Sequence, residues 1–573
     1  MPVVADLESS LPRTAVAPER VGGTLVDWYL SDQQELTAVE RFSQAHQADT
    51  LPLEARRYSA LLPATPLQDD QQYAFEVDLD ACSGCKACVA ACNSLNGLDE
   101  SETWRDVGLL YGGSDAEPFV QHVTTACHHC LDPACLNVCP VAAYEKDGTT
   151  GIVKHLDDQC IGCQYCILAC PYDVPKYNRS RGIVRKCDMC SSRLAVAEAP
   201  ACVQSCPNSA IRITAVSRAA AAESCEIGAF LQGAPDPQHT QPTTHYKTNR
   251  VFPRNTLPAD YYSVHPEHAH WALVLMLVFT QLSVGAFLVD FVLERWLEHP
   301  SLRDVRAVHA GTALFLGLVA LGASTLHLGR PHLAFRAVIG LRTSWLSREI
   351  LAFGLFALCA VLYAGSIGLP GASAAASSTA QTALEVAVVV TGVLGIVCSI
   401  MIYHCTKRAL WNGPGTAVRF LLTTVILGLS TALVTTLIAA QSASIETAEQ
   451  AISGVARSVF PALIAATSAK LLFEAALLGH LRAKSNTPLK RSARLMVGEL
   501  ARPAKWRFSL GIAGGVALPL VWMWHDGDAP ATALVAQLIV AGQFVFLAAG
   551  ELFERFLFFT TAVASRMPGA LRT

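Results

Sequence analysis

The chain has 573 residues, with 43 Lys and Arg against 47 Asp and Glu and a formal net charge of −4. That balance holds no basic excess, and no nucleic-acid partner is expected. Up to about residue 265 the chain is polar and cysteine-rich. Beyond it long runs of Leu, Val, Ala and Gly take over, so one soluble domain is excluded.

In the extension formed by residues 1–70, the N-terminal stretch MPVVADLESSLPRTAVAPER shows neither an apolar core of a signal peptide nor a twin-arginine pair, so a cleavable leader is not expected. Leu36–His46 reads as a short amphipathic helix, and the Pro-containing piece Leu61–Leu67 leads toward the first cysteines. This extension carries no recognisable chemistry and is read as a docking arm.

Sixteen of the twenty cysteines then fall into four groups. The first is Cys82, Cys85, Cys88 and Cys92. The second is Cys127, Cys130, Cys135 and Cys139, followed by Pro140. The third is Cys160, Cys163, Cys166 and Cys170, followed by Pro171. The fourth is Cys187, Cys190, Cys202 and Cys206, followed by Pro207. The spacing C-x2-C-x2-C-x3-C, with a following proline, is that of bacterial ferredoxins, where the fourth thiolate serves a neighbouring cluster. A structural zinc takes four ligands and shows no such run. Disulfides need an oxidising compartment and seldom crowd one stretch of a long chain. Sixteen thiolates suffice for four 4Fe–4S clusters, which together pass single electrons in sequence. The groups read as two ferredoxin-like pairs, one nested inside the other, over residues 71–232. Residues 233–264 follow as a linker, rich in Pro, Thr and Gln between Gly233 and Pro258.

From residue 265 to 573 the apolar windows approach or exceed the roughly 20 residues that cross a bilayer as helix. Eight are expected: Ala269–Leu293, Ala307–Leu328, Glu349–Leu369, Ala383–His404, Val418–Ala440, Val459–Leu481, Phe508–His525 and Thr532–Thr560, the seventh short. The fold class is thus an α+β ferredoxin-like polycluster domain followed by an all-α transmembrane bundle. Face A, which holds the cysteine half, collects Arg330, Arg336, Arg342, Arg348, Lys407 and Arg408, then a basic stretch from Arg482 to Arg507. The face B loops Pro370–Thr382 and Asp526–Ala531 have no Lys or Arg. By the positive-inside rule face A is cytoplasmic, in an inner-membrane protein.

The cysteine half, with HHCLDPACLNVCPVAAY, DQCIGCQYCILACPYDVPKYN and VRKCDMCSSRL, resembles the iron–sulfur subunit of dimethyl sulfoxide reductase-type molybdenum enzymes. The apolar half, with TLHLGRPHLAFRAV, SWLSREI and GELFERFLFF, resembles their membrane anchor subunit. The two are fused here, over about residues 71–573. The resemblance implies that outer cysteine groups pair with each other, as do inner ones. One set is then Cys82, Cys85, Cys88 and Cys206. The next is Cys92, Cys187, Cys190 and Cys202. A third is Cys127, Cys130, Cys135 and Cys170, and the last Cys139, Cys160, Cys163 and Cys166. It implies a separate molybdopterin catalytic subunit as partner, of sulfite dehydrogenase-like or sulfoxide reductase-like type. The alternative is a redox component of an ion-pumping or other respiratory complex.

The apolar half needs a redox partner. Haem b would want paired histidines, and His309, His327, His404, His480 and His525 show no pair spacing, so no haem is expected. A quinone, menaquinone or ubiquinone, at the face A helix ends is the preferred reading. His327, Glu349 and Arg330 are the site candidates, with Arg348 close by, because an ionisable group inside a membrane marks a site by default. Glu551 and Arg555, like Lys470 and Glu474, stand four residues apart and read as intrahelical ion pairs.

Overall fold

The computed structural model describes residues 24, 26, 37–47, 61–100, 102–296, 301–368, 378–440, 445–528 and 533–569. Most of the expected docking arm, and most of the loops Pro370–Thr382 and Asp526–Ala531, lie outside the described residues. Within the arm, α1 (Ala38–Gln47) is helical, and its Val39 packs on Cys190 and Ala201.

Two small sheets frame the cysteine half. Strand β1 (Gln71–Asp78) buries Gln72, Ala74, Phe75 and Val77. It is followed by the helix α2 (Ala87–Asn96), which carries Cys88 and Cys92. Strands β2 (Asp106–Gly113) and β3 (Pro118–Thr125) form a hairpin. The short helix α3 (Ala134–Asn137), the hairpin of β4 (Tyr144–Lys146) and β5 (Val153–His155), and the short helix α4 (Tyr165–Ala169) come next. A second small hairpin, β6 (Lys176–Asn178) with β7 (Ile183–Arg185), precedes α5 (Ser191–Leu194), α6 (Ala201–Gln204), β8 (Ile211–Ser217) and α7 (Arg218–Glu226).

One pairing sets the arrangement of the cysteines. Strands β1 and β8 run antiparallel, from Gln71↔Ser217 to Val77↔Ile211. The first group begins just after β1 and the fourth ends just before β8, so the ladder draws Cys82 and Cys206 to the same end of the sheet. The loops repeat locally as well. In CSGCKAC and CIGCQYC, Gly84 and Gly162 take φ of 72° and 71°, and Lys86 and Gln164 both take 61°. Each C-x2-C loop thus turns through the left-handed region just before its helix, where glycine is at no steric disadvantage.

Residues 233–264, expected as a linker, are partly woven into these sheets. Their β9 (His245–Lys247) pairs in parallel with β1, and their β10 (Leu257–Pro258) pairs with β2. Extended backbone beside an open sheet edge satisfies its polar groups by joining it, which composition does not reveal.

Among its described residues the apolar half contains eight helices long and apolar enough to span a membrane. These are α8 (Trp271–Trp296), α9 (Ser301–Thr325), α10 (Trp345–Gly368), α11 (Ser378–His404), α12 (Gly413–Ala440) and α13 (Ile445–Ala476). After an amphipathic surface helix, α14 (Pro488–Val497), the seventh span is α15 (Ala501–Ile512), a π-helical turn at Ala513–Ala517, and α16 (Leu518–Asp528). The last is α17 (Ala533–Thr560). Helices α8 and α12 run through the middle and pack against each other. The outer faces of α9 and α10 present Phe315, Leu318, Leu355 and Leu358, as lipid-facing surfaces do. After α17 the chain returns to the sheets. Met567 enters the core of the cysteine half, and Arg566 pairs with Asp260 at 2.9 Å.

Candidate functional site

All twenty cysteines are free thiols. Cys82, Cys85, Cys88 and Cys206 line one small cavity, and Cys127, Cys130, Cys135 and Cys170 line another. Cys92 lies within electrostatic reach of Cys190 and Cys202, and Cys187 within reach of Cys92 and Cys202. Cys166 lies within reach of Cys139, Cys160 and Cys163. Among the described residues no three His, Cys, Asp or Glu converge as ligands of one metal ion. In a cube the four thiolates each bind a different iron, at its corners.

The surroundings fit thiolate ligands. Backbone N–H groups of Ala143, Gly162, Met189 and Ala210 donate to the sulfurs of Cys139, Cys160, Cys187 and Cys206 at 3.2–3.4 Å. Burial pushes most of these thiols up, Cys170 to about 11, so deprotonation needs bound metal. Two buried cations, absent from the sequence reading, offset the charge. Arg105 lies among Cys88, Cys92, Cys187 and Cys202. Lys186 donates to Cys127 at 3.6 Å. Burial opposes its charge, yet the neighbouring thiols Cys127, Cys135 and Cys187 hold its pKa above the usual lysine range. Neither cation belongs to a C-x2-C run, so spacing gave no signal for them.

The sets follow one another in steps, with Cys88 within reach of Cys202. Cys187 is also within reach of Cys127, and Tyr144 within reach of Cys135, Cys139 and Cys166. At one end Cys85 is exposed. At the other, the third cysteine group meets the membrane helices. Tyr165, between Cys163 and Cys166, donates to the Ile402 carbonyl at 2.9 Å, and Ser344 to that of Val138 at 2.7 Å. The Arg330 N–H donates to the Ile161 carbonyl at 3.1 Å. Gly329 lies so close to Gly182 that a Cβ would sit 2.0 Å from the Gly182 carbonyl oxygen, so a side chain there would push the two halves apart.

The quinone candidates separate. His327, two residues before Gly329, lines a cavity of about 640 Å³ with His268, His270, Trp271, Leu500 and Phe556. The Trp271 and Phe556 rings stack there at 5.1 Å. Burial drives the His327 imidazole down to about 4, and nearby His270 adds to the effect. Its Nδ1 donates to the Ser324 carbonyl, leaving Nε2 as the ring's acceptor. Arg330 turns the other way and donates to the Asp157 carbonyl at 2.9 Å. Arg348 is spent on the Leu341 and Arg342 carbonyls. Glu349 is buried away from the cavity, accepts from Ser399, and lies within reach of Tyr165 and Tyr403. The sequence reading missed His268, His270 and Trp271, which precede the first span and reach His327 only through folding.

Comparison with known proteins agrees with this geometry. Residues 118–216 match a 4Fe–4S dicluster domain, and residues 265–560 match the DMSO reductase anchor subunit (DmsC). The second match covers more than half of the chain. This chain therefore belongs to the DMSO reductase anchor subunit (DmsC) family. Its iron–sulfur half is similar to the probable anaerobic dimethyl sulfoxide reductase chain YnfG of Escherichia coli, 41% identical over 144 residues, 24% of this chain and 70% of that one. A component of the anaerobic dimethyl sulfoxide reductase of Haemophilus influenzae is 33% identical over 189 residues, 31% of this chain and 91% of that one. The formate dehydrogenase-O iron–sulfur subunit of E. coli is 33% identical over 171 residues, 27% and 57% respectively. The protein is an iron–sulfur electron-transfer unit fused to a multi-pass DmsC anchor.

The DmsC half also holds a buried ionic network, which corrects the reading of Glu551 with Arg555 and adds partners to the intrahelical pair of Lys470 with Glu474. Glu551 does not pair with Arg555. It takes Lys470 from α13 and Arg507 from α15, the latter at 3.1 Å. Glu474 is clasped by Arg507 at 2.8 and 2.9 Å, with Lys470 farther off at 3.9 Å. Glu554 faces Arg419 of α12 at 3.1 Å and Arg555 at 3.4 Å. All seven side chains are buried. For Glu474 and Glu551, cations on other helices are closer than the cation four residues away on their own.

Proposed function

We propose that this chain carries electrons between the membrane quinone pool and a separate molybdopterin catalytic subunit. The observation that carries this reading is the His327 cavity, at the membrane face, two residues from the Gly329 contact with the loop of the third cysteine group. A quinone headgroup suits a cavity with stacked aromatic walls and one imidazole acceptor. Four 4Fe–4S cubes, held by the four cysteine sets, would each supply one-electron storage. The catalytic partner would dock at the end where Cys85 is exposed. A partner acting on a sulfoxide follows from those names, and a sulfite-oxidising one is equally compatible with this chain.

The chain's own residues supply the proton chemistry. With its pKa near 4, His327 is neutral at ordinary pH and its Nε2 can accept a quinol proton. Glu349 serves as a second proton-exchanging group on the cluster side, beneath Tyr165. We divide the chain at 71–232, 233–264 and 265–573, and place face A in the cytoplasm. Several face A arginines, among them Arg330 and Arg336, are engaged with carbonyls of the cysteine half. The orientation therefore leans on the basic 482–507 stretch.

His327→Ala should abolish reduction of an external dye by quinol, while reduced dye still delivers electrons to the catalytic partner. The pH profile gives a second check. The base must be neutral, so quinol oxidation should hold as pH falls and fail only below about 4. Full quinol activity in the variant, or an acid limb near the free-histidine value of about 6.5, would overturn the assignment.

A further inference from the structure

We propose that the spanning helices carry a proton path from the Glu551 network beneath the His327 cavity to Asp290 near face B, so that turnover can move charge across the membrane. The path itself rests on the geometry below. Only its coupling to quinol rests on the function proposed above.

The entrance lies under the cavity. Glu551 is five residues deeper along α17 than Phe556, which lines that cavity, or ~7.5 Å at helical rise. Three carboxylates meet four cations there, all of them buried. Charges so deep are expensive, and holding helices together needs none of them. Thr423 of α12 donates to Glu551 at 2.8 Å, and Arg555 donates to Gln281 of α8 at 2.9 Å.

The middle of the path is neutral and polar. Ser430, two turns further along α12, donates to Gln543 of α17 at 3.1 Å. The amide nitrogens of Gln281 and Gln543, with Nε and Nη1 of Arg555, are fully buried donors without an acceptor among the described residues. Buried donors of this kind ordinarily hold water. The π-helical turn Ala513–Ala517 packs at the same level, where a Cβ on Gly514 would sit 2.9 Å from the Gln543 carbonyl oxygen. Such turns loosen the regular ladder and recur at functional positions.

The exit is a histidine with two settings. Nε2 of His309 donates to the Ala286 carbonyl at 2.9 Å, and Nδ1 faces the Thr435 hydroxyl at 2.7 Å. That hydroxyl also reaches the Thr431 carbonyl at 2.9 Å. It can donate to Nδ1 when the imidazole is neutral, or turn to the carbonyl and accept from Nδ1 when it is protonated. Asp290 and Arg306 follow toward face B, with Arg306 on Glu294 at 3.0 Å and on the Tyr363 hydroxyl at 2.9 Å. The step from Thr423 to Ser430 spans ~10 Å of helix. About three waters would bridge it at ordinary hydrogen-bond spacing. Buried Leu427 and Leu547 narrow that step, which keeps the flux slow beside a channel's.

The test uses the full-length chain with its clusters in sealed vesicles containing a trapped pH dye. An impermeant one-electron acceptor outside reads only molecules whose cysteine half faces out. Each quinol oxidised to quinone sends two electrons to two acceptor molecules and releases two protons. Those protons are expected to acidify the lumen. Gln543→Leu, and separately Ser430→Ala, should lose lumenal acidification while acceptor reduction and iron content stay unchanged. Neither residue belongs to the ionic network, so a merely structural network would not move this readout. A second arm imposes a potassium diffusion potential with valinomycin and needs no quinone. Wild type should pass protons faster than either variant. Equal flux in all three overturns the path. Flux without quinol-driven acidification keeps the path and overturns its coupling. Absence of quinol oxidation defeats the functional proposal instead, and the flux arm still decides the path.

Discussion

Glu551→Ala is expected to destabilise the membrane half by about 3–5 kcal/mol, the cost of breaking a buried ion pair from one side. The substitution leaves Lys470 without its nearest carboxylate and removes one of two partners of Arg507. Thermal unfolding in detergent, read on the helical signal, should show the loss. Removing the opposing charge as well should restore much of it, because Lys470→Leu with Glu551→Leu leaves Arg507 still clasping Glu474. If single and double variants unfold alike, the network does not hold together as described. Glu551→Gln keeps an acceptor and should fall between.

Cys160→Ser should have the largest effect on electron transfer. Cys160 shares its set with the thiols closest to the membrane helices, so losing it removes the first carrier from the cavity side. Iron should drop from about sixteen per chain to about twelve if one cube is lost whole. Quinol-driven reduction of an external dye should vanish, since the third cysteine group, to which Cys160 belongs, is in contact with the membrane helices. Reduced dye should still load the cubes near exposed Cys85. Unchanged iron together with unchanged quinol activity would remove Cys160 from the ligand set.

The sequence made local features legible and hid those created by distant contact. Cysteine groups and apolar windows are short-range patterns, and the family matches support both. Which groups share a cavity was supplied by resemblance. The physical cause, the β1–β8 ladder, joins residues too far apart for spacing to reveal. The seventh span looked short because Arg507 reads as a boundary. It begins at Ala501, since Arg507 is buried against carboxylates of α13 and α17. The ionic network escaped for the same reason: Lys470 and Glu551 are 81 residues apart. His327 and Glu349 lie at the same membrane face by sequence, yet packing sends one to a cavity and the other beneath Tyr165. Strands β9 and β10 lie within the expected linker: their composition resembles a tether, and their backbone joins two sheets.

The most direct test of electron exchange with quinone is anaerobic reoxidation. The full-length chain is placed in lipid nanodiscs, reduced with dithionite, freed of excess reductant and mixed with a quinone analogue. Electron paramagnetic resonance then follows the reduced cubes. Their signals should disappear in wild type and persist in His327→Ala, with equal iron in both. Signals that persist in wild type under excess quinone, while a soluble oxidant removes them at once, would contradict it.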